Sequence, residues 1–356
     1  MNETEALIRD ADLLAQLEDA RGKFGFNIQC SILATTQKRR DAEREATAQK
    51  AAALAAMPRE TRRRAIVREV FENHAPSPKD VRHLHSLLAI CGLPYTRQPM
   101  DVRRYVKRQG QMSVVFYAQD LEAPGGRLIP QPLPWGPKAR LVLMHLCSEA
   151  LRQKSPTIEI ADTFTAFVRD LGFADNGGRG GALTAFKEQL NALAACTMRM
   201  NFSNDEQTKN RAIVPIEGFD IWLSDNPAQR SLWPSTVTFG ATMFESLKRH
   251  ALPVNVRAVK AFAGSARKLD LYFWLGYRLH NIDQPLHLSW NALTEQFGEG
   301  FSRPRDFQRQ LAEELGHITE VFPKLPVKLT SNGLSLQPAG PDVLALPAPR
   351  PAKKRA

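Results

Sequence analysis

Apolar residues recur at helical spacing along most of this chain and alternate with polar ones in a few short runs. The clearest helical pattern lies in Asp170 to Cys196, DLGFADNGGRGGALTAFKEQLNALAAC. Leu183, Phe186, Leu190 and Leu193 fall at i, i+3, i+7 and i+10, so they form one apolar stripe when wound as an α-helix. Thr184, Lys187, Glu188 and Asn191 project from the other side, and Arg179 sits among four glycines at the helix mouth. A nearly all-apolar stretch, KARLVLMHLCSEALRQ from Lys138, precedes this element and predicts a helix buried on most sides. Between them come an alternating strand, Thr157 to Ile160, and a helix from Thr163 to Leu171 that Asp162 can cap. Two β-prone runs follow, Thr197 to Phe202 and Ala212 to Leu223, joined by SNDEQTKNR as a hairpin. Helix, strand, helix, turn, helix, hairpin is the order of a winged helix.

The same order returns nearer the C-terminus. KLDLYFWLGYRLHN (268–281) predicts a buried helix, and Leu286 to Trp290 an alternating strand. Asn291 to Gly298 predicts a short helix, and Gly298-Glu299-Gly300 a turn. Ser302 is placed to cap a helix running to Glu320, with Pro304 in its first turn, where no N–H is needed. Phe307, Leu311, Leu315 and Ile318 make its apolar stripe, and Arg305, Gln308, Arg309 and Ala312 its other side. Lys324 to Leu336 predicts a second hairpin around Ser331-Asn332-Gly333.

Outside the two modules the pattern is less specific. Residues 5–20 have helical leucine spacing, 24–36 are mixed, and 38–57 favour helix with little apolar surface. Arg59, Arg62, Arg63 and Arg64 open a further helix, whose arginines suit a solvated face or phosphates. Lys79 to Cys91 reads as another helix. Residues 101–121 begin basic and end in a β-rich run, Met112 to Tyr117, after a Gln109-Gly110 turn; Ser235 to Phe239 reads as a strand and Ala241 to His250 as a helix. The expected class is therefore α+β, mainly α: tandem winged-helix (helix-turn-helix) domains with a helical N-terminal extension. Its parts are the extension (1–92), a first winged-helix domain with a preceding β segment (93–224), a connecting strand and helix (225–266), a second winged-helix domain (267–340) and a disordered basic tail (341–356).

Composition narrows the function. The chain has 356 residues and a formal net charge of +11, which favours an anionic partner, nucleic acid before membrane. No apolar run reaches membrane-spanning length and the N-terminus is acidic, so a cytoplasmic protein without a membrane partner is expected. Cys30, Cys91, Cys147 and Cys196 are far apart and read as buried free thiols. Catalysis finds little support. GGRGG lacks the Lys-Ser/Thr of a phosphate-cradling loop, His83, His85 and Cys91 make a poor metal set, and no carboxylate cluster suggests a two-metal nuclease. Tyr105, Tyr117 and Tyr272 have no accompanying His-x-His arrangement of the kind nicking enzymes use. No enzyme activity, cofactor or metal is expected.

Arginine reads guanine with two hydrogen bonds and asparagine or glutamine reads adenine. On that chemistry the DNA-contacting candidates are Arg179, Thr184, Lys187 and Asn191 in the first module, with Arg199, Lys209 and Arg211 on its hairpin. In the second they are Arg303, Arg305, Gln308 and Arg309, with Ser302 on a phosphate.

The segments LPYTRQPMDVRRYVKRQGQMSVVF, LVLMHLCSEALRQKSPTIEIADTFTAFVRDLG with its GGRGG turn, and KLDLYFWLGYRL followed by LSWNALTEQFG resemble the plasmid-encoded RepA-type replication initiators. The likeness covers residues 93–200 and 252–320; the first 90 residues match nothing. It implies a protein that binds directly repeated sites (iterons) in double-stranded DNA at a plasmid origin, opens adjacent AT-rich DNA, and recruits the host initiator and replicative helicase. It also implies a monomer–dimer equilibrium with copy control by dimers. The alternatives are a winged-helix transcriptional repressor, autoregulatory or not, and an interaction scaffold built on the alanine-rich N-terminal helix.

Overall fold

A computed structural model describes residues 3–123, 125–173, 181–203, 208–219 and 236–347. Its contacts divide the chain into Met1–Arg62 and Arg63–Ala356, each built on its own core. Helices predominate and the sheets are small and antiparallel.

In the first unit α1 (Glu3–Ala6) and α2 (Ala11–Ala20) pack on the long α3 (Phe26–Ala56). The mixed segment 24–36 is mostly the opening of α3, because its Cys30, Leu33 and Ala34 meet Ile8, Leu13 and Leu17. The seam continues in polar groups. Buried Gln37 accepts from the Arg9 and Asp10 amides at 3.0 and 2.9 Å, and Arg44 and Arg40 grip the Asp10 carboxylate at 2.7 and 2.8 Å. Those guanidiniums, Arg44 foremost, hold the Asp10 carboxyl far below the usual range.

Helix α4 (Arg59–Asn73) corrects the reading of its arginines. Arg62 donates to the carbonyls of Leu54 at 2.7 Å and Met57 at 3.0 Å, satisfying the end of α3. Arg63 donates to the Gly172 carbonyl at 2.9 Å, and Arg64, 5% exposed, pairs with Glu320 at 2.8 Å. They serve the protein's own carbonyls and carboxylates.

The expected helix 79–91 is instead a strand, β1 (Val81–His85), followed by a short α5 (Ser86–Ile90). A partner remote in sequence, β11 (Ala251–Asn255), pairs with β1 from Val81↔Asn255 to His85↔Ala251 and overrides local preference. Next come β2 (Arg104–Gln109) and β3 (Met112–Ala118), a hairpin through Gly110, and the ribbon β4 (Asp120–Glu122) and β5 (Leu128–Pro130).

The first module has the expected order: α6 (Gly136–Gln153), β6 (Thr157–Glu159), α7 (Ala161–Asp170), α8 (Ala182–Ala194), β7 (Cys196–Ser203) and β8 (Thr208–Ile213). Ile160, not Asp162, occupies the N-cap of α7. Most of the anticipated connection SNDEQTKNR that the structure describes is strand, and the run after it contributes β9 (Ile216–Phe219). The pairing departs further from expectation. The hairpin β7–β8 extends β3 and β2 into a four-stranded sheet, whereas β6 pairs with β10 (Thr236–Phe239), itself paired with β9.

After α9 (Ala241–His250) and α10 (Val256–Phe262) comes the second module: α11 (Ala266–His280), β12 (Leu286–Ser289), α12 (Trp290–Phe297), α13 (Pro304–Val321), β13 (Val327–Thr330) and β14 (Gly333–Leu336). Here the hairpin does pair with the strand after the first helix, in the order β12-β14-β13. The modules share an order of elements but not a pairing scheme. Residues 341–346, expected in a disordered tail, form a turn with Leu344 and Leu346 buried, and Asn255 Nδ2 donates to the Ala345 carbonyl at 2.8 Å.

The two buried helices α6 and α11 meet through an ion pair. Arg140 Nε and Nη2 donate to the Asp270 carboxylate at 2.5 and 2.6 Å, and both residues are about 5% exposed. The remaining Arg140 hydrogens go to the carbonyls of Leu93, Pro94 and Gly136. All four cysteines are buried and free, and burial pushes the Cys91, Cys147 and Cys196 thiols up to about 12.

Breaking the ion pair strands a buried charge. Asp270→Ala is expected to destabilise the protein by about 3–5 kcal/mol in denaturant unfolding, whereas a rim pair such as Lys248–Glu245 should cost about 0.5 kcal/mol or less. Burial holds His85 and His145 down at about 4, against 6.5 for a free imidazole. The unfolded chain therefore binds more protons between those values, and stability should fall as pH drops from about 6.5 towards 4. His85→Asn is expected to flatten that slope in Tm measured against pH.

Candidate nucleic-acid interface

The interface expected of the second module starts at the turn before α13. Gly298 closes α12, and Gly300, at a φ of 85°, reverses the chain. Arg267 pins this turn, donating to the carbonyls of Phe297 and Glu299 at 3.0 and 2.7 Å. Its guanidinium lies between the rings of Tyr95 and Phe301, 4.5 and 4.6 Å from their centroids. Glu299 also accepts from the Tyr105 hydroxyl and lies 3.8 Å from Lys107, whose ammonium burial disfavours.

Pro304 starts α13 and Arg303, not Ser302, takes the N-cap position, with no side-chain cap. Phe307, Leu311, Leu315, Ile318 and Val321 are buried, as the stripe required. The opposite side is open. Ser302, Arg303, Arg305 and Arg309 are exposed and Gln308 is half-buried. Arg303 and Arg309 both reach Asp306, at 2.9 and 3.2 Å, and their side chains remain 81% and 80% exposed. Pairs so hydrated hold weakly and can be exchanged for a phosphate or a base edge.

The hairpin beside this helix is held by Trp290. Its Nε1 donates to the Ser331 carbonyl at 2.9 Å, while its ring meets Phe307 edge-on at 6.4 Å. One side chain thereby ties the tip of β13–β14 to the first turns of α13. Lys328 stands exposed on β13 opposite Ser335. Reading by helix stripe alone overlooked Lys328; its outward position in an alternating strand was the available signal.

The first module is more closed. Phe186, Leu190 and Leu193 are buried and Leu183 half-buried, in agreement with the stripe. Buried Gln189 accepts from the Trp135 amide at 2.8 Å, a role no periodicity announced. Of the polar candidates, Thr184 is exposed; Lys187 and Asn191 are half-buried, and desolvation lowers the Lys187 pKa. Glu188 pairs with Arg97 at 3.3 Å. Arg179 lies outside the described residues. On the hairpin, Arg199 is exposed opposite Val115 and Ala212, whereas Arg211 and Lys209 oppose Met200 and Phe202 in the alternate rows. These three positions do not share one face of the sheet. Among the described residues no group of three His, Cys, Asp or Glu side chains could hold a metal ion, and no helix is long and apolar enough to cross a membrane.

Residues 133–291 match the family model described as plasmid encoded RepA protein. The match covers less than half of the chain. No curated protein matches the chain by sequence. Two crystal structures of domains 2 and 3 of RctB superpose on it at TM-scores of 0.41 and 0.43, with 12% and 9% identity. They cover 68% and 70% of this chain, and 87% and 94% of theirs. At that level the likeness fixes no fold.

The RepA-type segment runs from the approach to α6 as far as the start of α12. It contains α8 and the paired helices α6 and α11 with their ion pair, but ends before α13 and the β13–β14 hairpin. The most open arginine-bearing face, that of α13, therefore lies beyond the matched segment, joined to it by Arg267 and the β12–β14 pairing.

Gly333 is where β14 meets β12. Its φ of 142° is open only to glycine, and a Cβ there would fall on the Leu288 carbonyl. Gly333→Ala is expected to cost about 2 kcal/mol or more. Hydrogen exchange should locate the loss in β12–β14, with protection of the β2–β3 amides retained.

Proposed function

We propose that this protein is a plasmid replication initiator that binds repeated duplex sites through two winged-helix modules. The RepA-type segment supports the initiator class. The observation that carries the DNA-binding reading is the open face of α13, with Arg303, Arg305 and Arg309 exposed beside a hairpin bearing Lys328. The order α11, β12, α12, α13, β13, β14 with pairing β12-β14-β13 is what a winged helix requires. In this reading α13 enters the major groove, where Arg305 and Arg309 donate to guanine O6 and N7 and Gln308 to adenine. Ser302 and Arg303, at the positive end of the helix, take a phosphate, and Lys328 takes another from the wing.

The first module contributes Thr184, Lys187 and Asn191 from α8, Arg179 from the turn, and Arg199, Lys209 and Arg211 from β7 and β8. Because α8 is half-covered, it makes fewer direct base contacts than α13. Binding at successive repeats then opens neighbouring AT-rich duplex by deformation, without covalent chemistry or a cofactor. The host initiator and replicative helicase are recruited in the cytoplasm, and a monomer–dimer equilibrium sets how many molecules are competent.

Footprinting on DNA from around the gene tests this. Regularly spaced protection of direct repeats is expected; a lone inverted repeat over a promoter would mark a repressor instead. Arg305→Ala and Arg309→Ala should each weaken repeat binding by roughly 5- to 150-fold with little effect on random duplex. Lys328→Ala should weaken both alike and lower the salt slope by about 1. Equal losses on cognate and random DNA for the two arginine variants would remove them from base reading.

A further inference from the structure

The outer face of the sheet β2-β3-β7-β8 is not used by duplex recognition through α13. Its register sorts the side chains. Tyr105, Phe116 and Met198 form one row and Lys107, Val114 and Met200 another, both turned into the core, where Phe116 and Val114 are fully buried. The rows between them face outward.

Those outward rows carry Arg104 beside Tyr117, Val106 beside Val115 and Arg199, and Arg108. All three arginines are exposed, and none has a hydrogen-bond or ion-pair partner among the described residues. Tyr117 and Val115 are half-buried on the floor between them. No strand position on this face is acidic. Arg104 and Arg199 stand two strands and two residues apart, roughly 12 Å on the diagonal, with Tyr117 and Val115 on the strand between them.

We propose that this face binds single-stranded DNA. Three unpaired guanidiniums supply the charge for a phosphate backbone, and a tyrosine ring with a valine floor supplies a surface on which an unpaired base can stack. A duplex can satisfy the arginines but not the ring, since its bases are stacked on one another and face inward. An acidic peptide likewise needs only the arginines. The proposal deepens the initiator reading and rests on it for its purpose: opening a duplex yields the single strand that this face holds. The tyrosine here stacks on a base and attacks nothing.

The full-length protein is titrated against a fluorescent 15-nucleotide oligothymidylate and, in parallel, against the footprinted duplex repeat. The double variant Arg104→Ala/Arg108→Ala, which leaves Arg199 in place, is expected to weaken oligothymidylate binding at least about fivefold and to lower its salt slope by about 1.4. Its duplex affinity should change less than about twofold. Tyr117→Leu should weaken oligothymidylate binding about fivefold or more, while Tyr117→Phe keeps it. Unchanged binding by the double variant, equal losses on both DNAs, or a Tyr117→Leu protein that binds as the wild type overturns the proposal, the last pointing to an acidic segment or bare phosphate as the ligand. Oligothymidylate binding without protection of any duplex repeat counts against the initiator reading alone. Repeat protection without oligothymidylate binding counts against this face alone.

Discussion

The Arg140–Asp270 ion pair is the constraint around which the larger unit is arranged. Removing both charges from water is costly, and only a bidentate pair with every remaining hydrogen satisfied offsets it. Arg140 meets that condition by drawing in the carbonyls of Leu93, Pro94 and Gly136. The chain entering α6 is thereby fixed against α11. Gly92 shows how tight the fit is, because a Cβ there would collide with the Asp270 carboxylate. Tyr95 lies against Arg140 and Arg267 together, so the same buried cluster reaches the turn that aims α13. Orientation of an outward-facing helix thus depends on charges that never meet solvent.

Much of this was legible in the sequence, and the reason is periodicity. The stripes of α8 and α13 and the buried character of α6 and α11 follow from local spacing, and local spacing survived folding. What stayed hidden was non-local. Val81 to His85 became a strand because Ala251 to Asn255 pairs with it, and no helical propensity in that segment could announce a partner so far along the chain. The β7–β8 hairpin looked like a wing by order alone, yet β3 captured it. Charge misled for a related reason. Arg62, Arg63 and Arg64 suited a solvated face or phosphates, but each found carbonyls or a carboxylate of the protein itself. A guanidinium with five donors is as suited to closing helix ends as to holding phosphate, and only tertiary context distinguishes the two.

Two kinds of surface emerge from one scaffold. The open side of α13 is convex, helical and arginine-bearing, a shape for a groove. The outer sheet face is broad and pleated, with arginines around a ring. In the proposed reading they differ in what they ask of DNA, one requiring stacked pairs and the other bases set free.

The strand order β12-β14-β13 bears on how the chain can be divided. β14 is the middle strand, and the RepA-type match stops at Asn291, between β12 and the partner that covers its edge. A fragment trimmed to that match would retain β12 with its amides bare, an invitation to pair with a neighbouring molecule and precipitate. Because Asn255 also anchors the backbone at Ala345, the smallest piece that closes on itself extends to Leu346. Folding autonomy here reaches well past sequence kinship.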